Sequence, residues 1–281
     1  MIKNRKLSFF VVIIVYVIAT IVAVTVFNLC NYGTYLNLFV ADFCATVVVF
    51  IASLLFKNSS VYDPYWSVQP IVILVALTIK WGISPLSLYM LIVVVFWGVR
   101  LTANWAYTFQ NLDWQDWRYT MLKEKTGVFY PIINFLGIHL FPTIVVYFCV
   151  SPAVYIIQSN KSVNLLFIFG CLLSLFGAVM QMIADIQMHK YRKNRIGNFI
   201  RTGLWKYSRH PNYLGEILMW WGIAIACLSL YSPIYFIFGA LLNTLMFLFV
   251  SIPMADKRQS KKEGFEEYKA QTRALLPIAK H

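Results

Sequence analysis

Charge is scarce in this sequence, and acid is scarcer than base. Only 12% of the 281 residues are charged, and 11 Asp and Glu stand against 24 Lys and Arg. A water-soluble domain ordinarily carries about a quarter of its residues as charge, so the deficit argues against water as the solvent for most of the chain. Cysteine is sparse too. The five cysteines, at 30, 44, 149, 171 and 227, form no CxxC pair and lie in or beside apolar runs. They provide neither a disulfide framework nor a zinc site, and no metal is expected. His189 and His210 make no zinc pattern, and His139, alone in an apolar run, reads as a hydrogen-bonded core residue. No GxGxxG follows a strand pattern and no GxxxxGK[ST] occurs, which excludes a Rossmann unit and a P-loop. No GxSxG or Cys–His dyad is evident. A bound nucleotide would therefore be held by helix ends and loops.

What is abundant is apolar sequence in long blocks. The chain is 60% hydrophobic, and Leu7–Leu29, Phe43–Phe56 and Ile217–Ala255 carry no formal charge. A bilayer core of ~30 Å needs about 20 apolar helical residues. Lipid offers no water to stray backbone groups, so such runs are helices or closed barrels. The runs are continuous rather than alternating, which excludes a barrel. The expected fold is an all-α polytopic membrane protein with 7–8 transmembrane helices, in a single domain over residues 1–281. Eight apolar segments are read at 7–29, 36–56, 68–83, 86–109, 128–150, 163–188, 211–230 and 234–254, the third of them short. Pro131, Pro142, Pro152 and Pro233 should kink or end helices. Lys3, Arg5 and Lys6 precede the first run as in a signal peptide. That run is too long for a signal core and no small-residue cleavage site follows, so it is expected to stay as an anchor.

Placing the N-terminus in the cytoplasm puts every basic residue except Lys80 and Lys161 on that side. Both termini are therefore expected to be cytoplasmic. The net charge of +13 then reflects orientation and attraction to anionic headgroups, not nucleic-acid binding.

Three places break the apolar pattern with groups that are costly in lipid. The densest holds Ala184-Asp185, a basic loop, and the run Gly203-Leu204-Trp205-Lys206-Tyr207-Ser208-Arg209-His210-Pro211-Asn212-Tyr213-Leu214-Gly215-Glu216. Pro211 suits a first helical turn, which sets Asn212 and Glu216 one turn apart on one face, with Tyr213 and Trp220 beside it. Arg201, Lys206, Arg209 and His210 supply cations suited to phosphates. A positive-inside flank with a proline cap accounts for the basic loop equally well, but not for Asn212 and Glu216. The second place is Val61-Tyr62-Asp63-Pro64-Tyr65-Trp66-Ser67, which also reads as an Asp-Pro turn with interfacial aromatics. The third is Arg100-Leu101-Thr102 with Asp113 to Tyr119, a surface helix or a lid. The tail, from Asp256 to Pro277, reads as a membrane-surface helix.

At these residues the chain resembles the DUF1295 proteins, membrane relatives of the steroid 5-alpha-reductase family. Carrying the resemblance are Asp63-Pro64-Tyr65-Trp66-Ser67, Arg100-Leu101-Thr102, Asp116-Trp117-Arg118-Tyr119, Ala184-Asp185, Gly203 to Glu216, and Phe265-Glu266-Glu267-Tyr268 with Leu275-Leu276-Pro277. It covers about residues 60–278. The resemblance implies a membrane reductase that uses NADPH on a C=C bond conjugated to a ketone in a lipophilic, steroid- or isoprenoid-like substrate. Asn212, Glu216 and Asp185 would contact the cofactor. Arg192, Arg195 and Arg201 would receive its extra phosphate, and Tyr207, Arg209, His210, Tyr213, Trp220 and Arg258 complete the cofactor candidates, at a cytoplasmic mouth. The reductases place a Glu and a Tyr at the substrate ketone; Asp63 lies near the Glu position, and Tyr65 and Tyr107 are the candidate tyrosines. Isoprenylcysteine carboxyl methyltransferases share Arg209-His210-Pro211 and Tyr213, and imply S-adenosylmethionine instead, although they favour paired Glu where this chain has Asp256-Lys257. A non-catalytic lipid-binding membrane protein is the third alternative. The lipid bilayer and a lipophilic small molecule are the expected partners.

Overall fold

The computed structural model describes residues 2–194 and 197–277, and among these residues every regular element is helical. Helices α1 (Arg5–Leu29) and α2 (Thr34–Leu55) come first. Next are α3 (Tyr65–Trp81), α4 (Pro85–Thr108), α5 (Trp117–Thr126), α6 (Tyr130–Ile133) and α7 (Phe141–Gln158). The remainder are α8 (Leu165–Asn194), α9 (Pro211–Leu228), α10 (Phe238–Met246), α11 (Ile252–Gln259) and α12 (Phe265–Gln271). All eight apolar segments are helical, and this is an all-α multi-pass membrane protein. Six helical stretches are long and apolar enough to cross a bilayer: α1, α2, α4, Trp117–Gln158, α8 and Ile234–Gln259. Helix α3, with 17 residues, is short as expected. Helix α9, with 18, is diluted by Asn212 and Glu216.

Prolines shape the long stretches. Residues Asn134–Leu140 form a π-helical turn just before Pro142, and Phe247–Ser251 form another just before Pro253. Proline lacks an N–H and its ring crowds the carbonyl four residues back; the wider π turn relieves that crowding. Pro233 stands between α9 and the 3-10 turn Ile234–Ile237.

Where the sequence suggests one domain, the chain forms two compact units, Met1–Ala76 with Leu101–Ser151, and Leu77–Arg100 with Pro152–His281. In unit 1, α1 packs on α2 through small and β-branched residues: Val12, Val15 and Ala19 against Ala45, Val49 and Ala52. The opposite face of α1, with Phe10, Ile13, Val17 and Ile21, is exposed, as a lipid-facing stripe should be. The turn before α3 is tied to the segment before α5. Asn58 Nδ2 donates to the Leu112 and Trp114 carbonyls at 2.9 and 2.8 Å, and the Asp116 N–H donates to Ser60 Oγ at 3.0 Å.

In unit 2, α8 and α9 approach so closely that only small residues fit between them. A Cβ added at Gly177 would lie 2.5 Å from the Gly215 carbonyl oxygen, and one at Gly222 2.5 Å from that of Gly170. Such a small-residue seam lets two membrane helices pack backbone to backbone. Ser174 Oγ reinforces it by donating to the Met219 carbonyl at 2.8 Å. The tail differs from the expected single surface helix. Phe265 and Tyr268 of α12 are buried against Phe199. Beyond α12 the backbone pairs with the segment before α9: the Arg209 and His210 N–H groups donate to the Arg273 and Ala274 carbonyls, each at 3.0 Å.

Candidate functional site

Glu216 is the centre of a buried network in unit 2. It is 2% exposed, one turn inside α9. Trp97 Nε1 donates to its Oε2 at 2.9 Å, Trp220 Nε1 to its Oε1 at 2.7 Å, and Gln181 Nε2 to its Oε2. The Gln181 carbonyl oxygen in turn accepts from Arg100, whose guanidinium also pairs with Asp185 at 2.9 Å. Asp185, Arg100, Gln181 and Glu216 thus form one chain of alternating donors and acceptors. A buried carboxylate needs such partners, because an unpaired charge in a low-dielectric interior is strongly disfavoured. Arg258, one of the cofactor candidates, is exposed in the last turn of α11, and it is Arg100 of α4 that enters the Glu216 network.

Asn212 behaves differently. Its side-chain oxygen is buried and has no hydrogen-bond partner among the described residues. Four residues before Glu216 and in the first turn of α9, this atom is an acceptor without a donor.

Arg209 and His210 are already engaged. Both are buried, and both bind Asp256 of α11: Arg209 Nη2 at 2.9 Å to Oδ2, and His210 Nε2 at 2.9 Å to Oδ1. Arg209 also donates to the Thr272 carbonyl. The His210 ring lies parallel to Tyr213 at 5.1 Å. These residues, read from the sequence as phosphate ligands, join α9 to the tail.

The basic loop does enclose space. A cavity of about 690 Å³ is lined by Lys190, Tyr191, Phe199, Arg201, Gly203 and Glu263, among others. Arg201 lies 4.4 Å over the Phe199 ring and donates to the Gly264 carbonyl at 2.8 Å. Gln187 fixes the loop by accepting from the Leu204 N–H at 2.9 Å, and a Cβ at Gly203 (φ 61°) would strike its side chain at 2.5 Å. Burial, then the Arg258 and Arg192 cations, pushes the Lys262 amine down. Arg192 is exposed at the end of α8, and Tyr207 is exposed. Arg195 lies outside the described residues.

In unit 1, Asp63 accepts from Tyr119 Oη. Burial lifts its carboxyl to about 6, against the opposing effects of Arg118 and Tyr119. Tyr65 is buried and donates at 2.9 Å to Asp42, which also accepts from Gln69 Nε2 at 2.6 Å. Tyr107 is 68% exposed near the end of α4. Asp42, Gln181 and Trp97 escaped the sequence reading, as did the role of Arg100. The signal for Asp42 was present: a lone acid within an apolar segment is a site candidate by default.

A family model described as "Protein of unknown function (DUF1295)" matches residues 49–272. The chain belongs to the DUF1295 family. The DUF1295 match begins beyond Asp42 and takes in Asp63, Arg100, Asp185, Asn212, Glu216 and Asp256, ending at the residue whose carbonyl receives Arg209. The uncharacterized protein C594.04c of Schizosaccharomyces pombe is 27% identical over 256 residues, covering 75% of this chain and 69% of that protein. No solved structure matches the chain.

Proposed function

We propose that this DUF1295 protein is a membrane oxidoreductase that uses NADPH to reduce a C=C bond conjugated to a ketone in a lipophilic substrate, with its cofactor site facing the cytoplasm. The observation that carries this reading is the orphaned Asn212 oxygen in the Pro211–Glu216 run. An acceptor buried without a donor is costly, and the amide N–H of a nicotinamide carboxamide supplies what it lacks. The cavity beside the basic loop supports the same reading. Its volume falls within the ~300–1,000 Å³ typical of ligand sites, and Lys190 and Arg201 on its wall suit phosphates.

NADPH, when bound, supplies the reducing equivalents; the protein's residues hold and orient. Asn212 accepts from the carboxamide. Glu216, whose oxygens already receive three N–H donors, acts as a positioning residue through Trp97, Gln181 and Trp220. Tyr65 gives its single hydroxyl proton to Asp42, so it has none to donate to a substrate carbonyl. The S-adenosylmethionine reading draws less support. It calls for a tail carboxylate open to a cationic ligand, and Asp256 already binds Arg209 and His210.

The test is titration of detergent-purified protein with NADPH, NADH and S-adenosylmethionine, followed by fluorescence and calorimetry. NADPH should bind in preference to both. Lys190→Gln should weaken it by roughly 10-fold or more, the equivalent of a charge-assisted hydrogen bond, and Asn212→Ala should weaken it while melting like the parent. Binding of S-adenosylmethionine alone, or equal binding of both nicotinamides, would overturn the proposal.

A further inference from the structure

Helix α8 is longer than a bilayer requires. Its 30 residues rise about 45 Å at ~1.5 Å each, against a hydrocarbon core of ~30 Å. Roughly 15 Å of the helix therefore stands in the headgroup layers or beyond. Exposure shows which face meets the lipid. Phe169, Leu172, Phe176, Val179, Ile183 and Ile186 are all exposed, and their alternating spacing of three and four puts them on one side of the helix. The other side carries Gly170, Ser174, Gly177 and Gln181, all buried, and it is this side that meets α9.

The next two positions of the same stripe are Lys190 and Lys193, both exposed. Lys190 lies about 6 Å along the axis beyond Ile186, and Lys193 about 10 Å. The headgroup layer is about 5–8 Å deep on each side. Side chains lean toward a helix N-terminus, here back toward the bilayer, so both ammonium groups come to the level of lipid phosphates. Among the described residues neither lysine has an ion-pair partner. Lys190 also stands on the wall of the cavity beside the basic loop, where Arg201 adds a second cation and Glu263 is the acid. Basic residues in a last helical turn suit the helix dipole, and a basic flank attracts anionic lipid wherever its side chains point. Neither effect requires the lysines to continue the lipid-facing stripe, and Arg192, between them, is off it.

We propose that the end of α8 is a binding site for an anionic phospholipid, whose acyl chain lies along the stripe at 169–186 and whose phosphate is received by Lys190 and Lys193. The ligand's chemistry follows from the register. The stripe supplies apolar surface and then, one turn on, two cations, so the ligand needs an apolar chain ending in a negative group. A free phosphate has only the second part. A neutral lipid has only the first. Phosphatidylcholine carries its own cation, which Lys190, Lys193 and Arg201 repel, whereas a headgroup of net negative charge meets no such opposition. The site does not depend on the reduction reading. It shares Lys190 with the cavity assigned there to the cofactor, but lipid binding is read without any nucleotide.

The experiment titrates the delipidated full chain in detergent with phosphatidylglycerol and, separately, with phosphatidylcholine, and counts bound lipid by native mass spectrometry. The first phosphatidylglycerol should bind at least about fivefold more tightly than phosphatidylcholine. Lys190→Gln combined with Lys193→Gln should weaken phosphatidylglycerol by roughly 25-fold, about fivefold for each lysine, the equivalent of about 1 kcal/mol apiece. Lys190→Arg with Lys193→Arg, which keeps both charges, should retain it. So should Lys123→Gln with Lys125→Gln, the same loss of charge in the last turn of α5. Equal binding of the two lipids by the unmodified protein overturns the proposal, and that readout does not depend on how any variant folds. An equal loss in the α5 pair also overturns it, because the attraction would then be to net charge and not to this site. Displacement of phosphatidylglycerol by excess glycerol 3-phosphate would make the ligand a free phosphate and overturn the assignment to a lipid.

Discussion

Glu216→Gln separates a residue that builds the site from one that only touches a ligand. The carboxylate receives Gln181 and Trp97 on Oε2 and Trp220 on Oε1. In the amide, one oxygen becomes an NH₂ group. Keeping the remaining oxygen where two donors meet leaves the NH₂ facing the Trp220 N–H. One charge-assisted hydrogen bond is lost, worth about 1.5–3 kcal/mol, and a buried N–H is stranded at about 1–3 kcal/mol. The expected destabilisation is about 3 kcal/mol, with the Arg100–Asp185 pair left intact. Adding Trp220→Phe removes the stranded N–H, so the two changes should couple by about 1–2 kcal/mol in a double-mutant cycle. Unfolding of purified protein in mixed micelles, followed by tryptophan fluorescence, measures both. Asn212→Ala serves as the contrast, since its oxygen has no partner to lose and its stability should match the parent. A Glu216→Gln protein within about 0.5 kcal/mol of the parent would refute the network as a structural element and return Glu216 to the cofactor.

Asp63 should make stability depend on pH. Its folded value of about 6 lies above the ordinary 3.8, so the folded state holds the proton longer. Stability is then greatest below about pH 4 and falls by up to about 3 kcal/mol as pH rises through 6; Asp63→Asn should flatten that window in pH-dependent melting. Asp256→Asn should leave Arg209 underpaired in a buried site, at about 3–5 kcal/mol, and limited proteolysis should then cut between α11 and Pro277 faster. Gly177→Val should drive α8 from α9 and destabilise by at least about 1–3 kcal/mol. Gly137→Ala, where an added Cβ meets nothing within 4 Å, should melt like the parent.

The helical, membrane-embedded character was legible because it is a property of consecutive residues. An uncharged run such as Leu7–Leu29 must satisfy its backbone internally wherever it is placed in lipid. Local order carried as far as Pro211 opening α9 and Asn212 and Glu216 sharing a face one turn apart. The resemblance to the DUF1295 family is carried by local runs of the sequence, at Asp63, Arg100, Asp185 and Gly203–Glu216.

The partners of those residues were decided by packing. Trp97 and Glu216 are 119 positions apart, and Arg209 and Asp256 47; no periodicity links them. Arg209 and His210 read as phosphate ligands because their charge is written in the sequence, while the acid that engages them stands in a tail whose path only the fold reveals. Asp42 was passed over because a single acid barely alters the hydropathy of α2, yet burial makes it the residue that holds Tyr65 and Gln69. Hydropathy sums over neighbours along the chain. Hydrogen bonds between side chains depend on which helix faces meet, and in unit 2 that is set by a seam of glycines close enough for α8 and α9 to touch backbone to backbone.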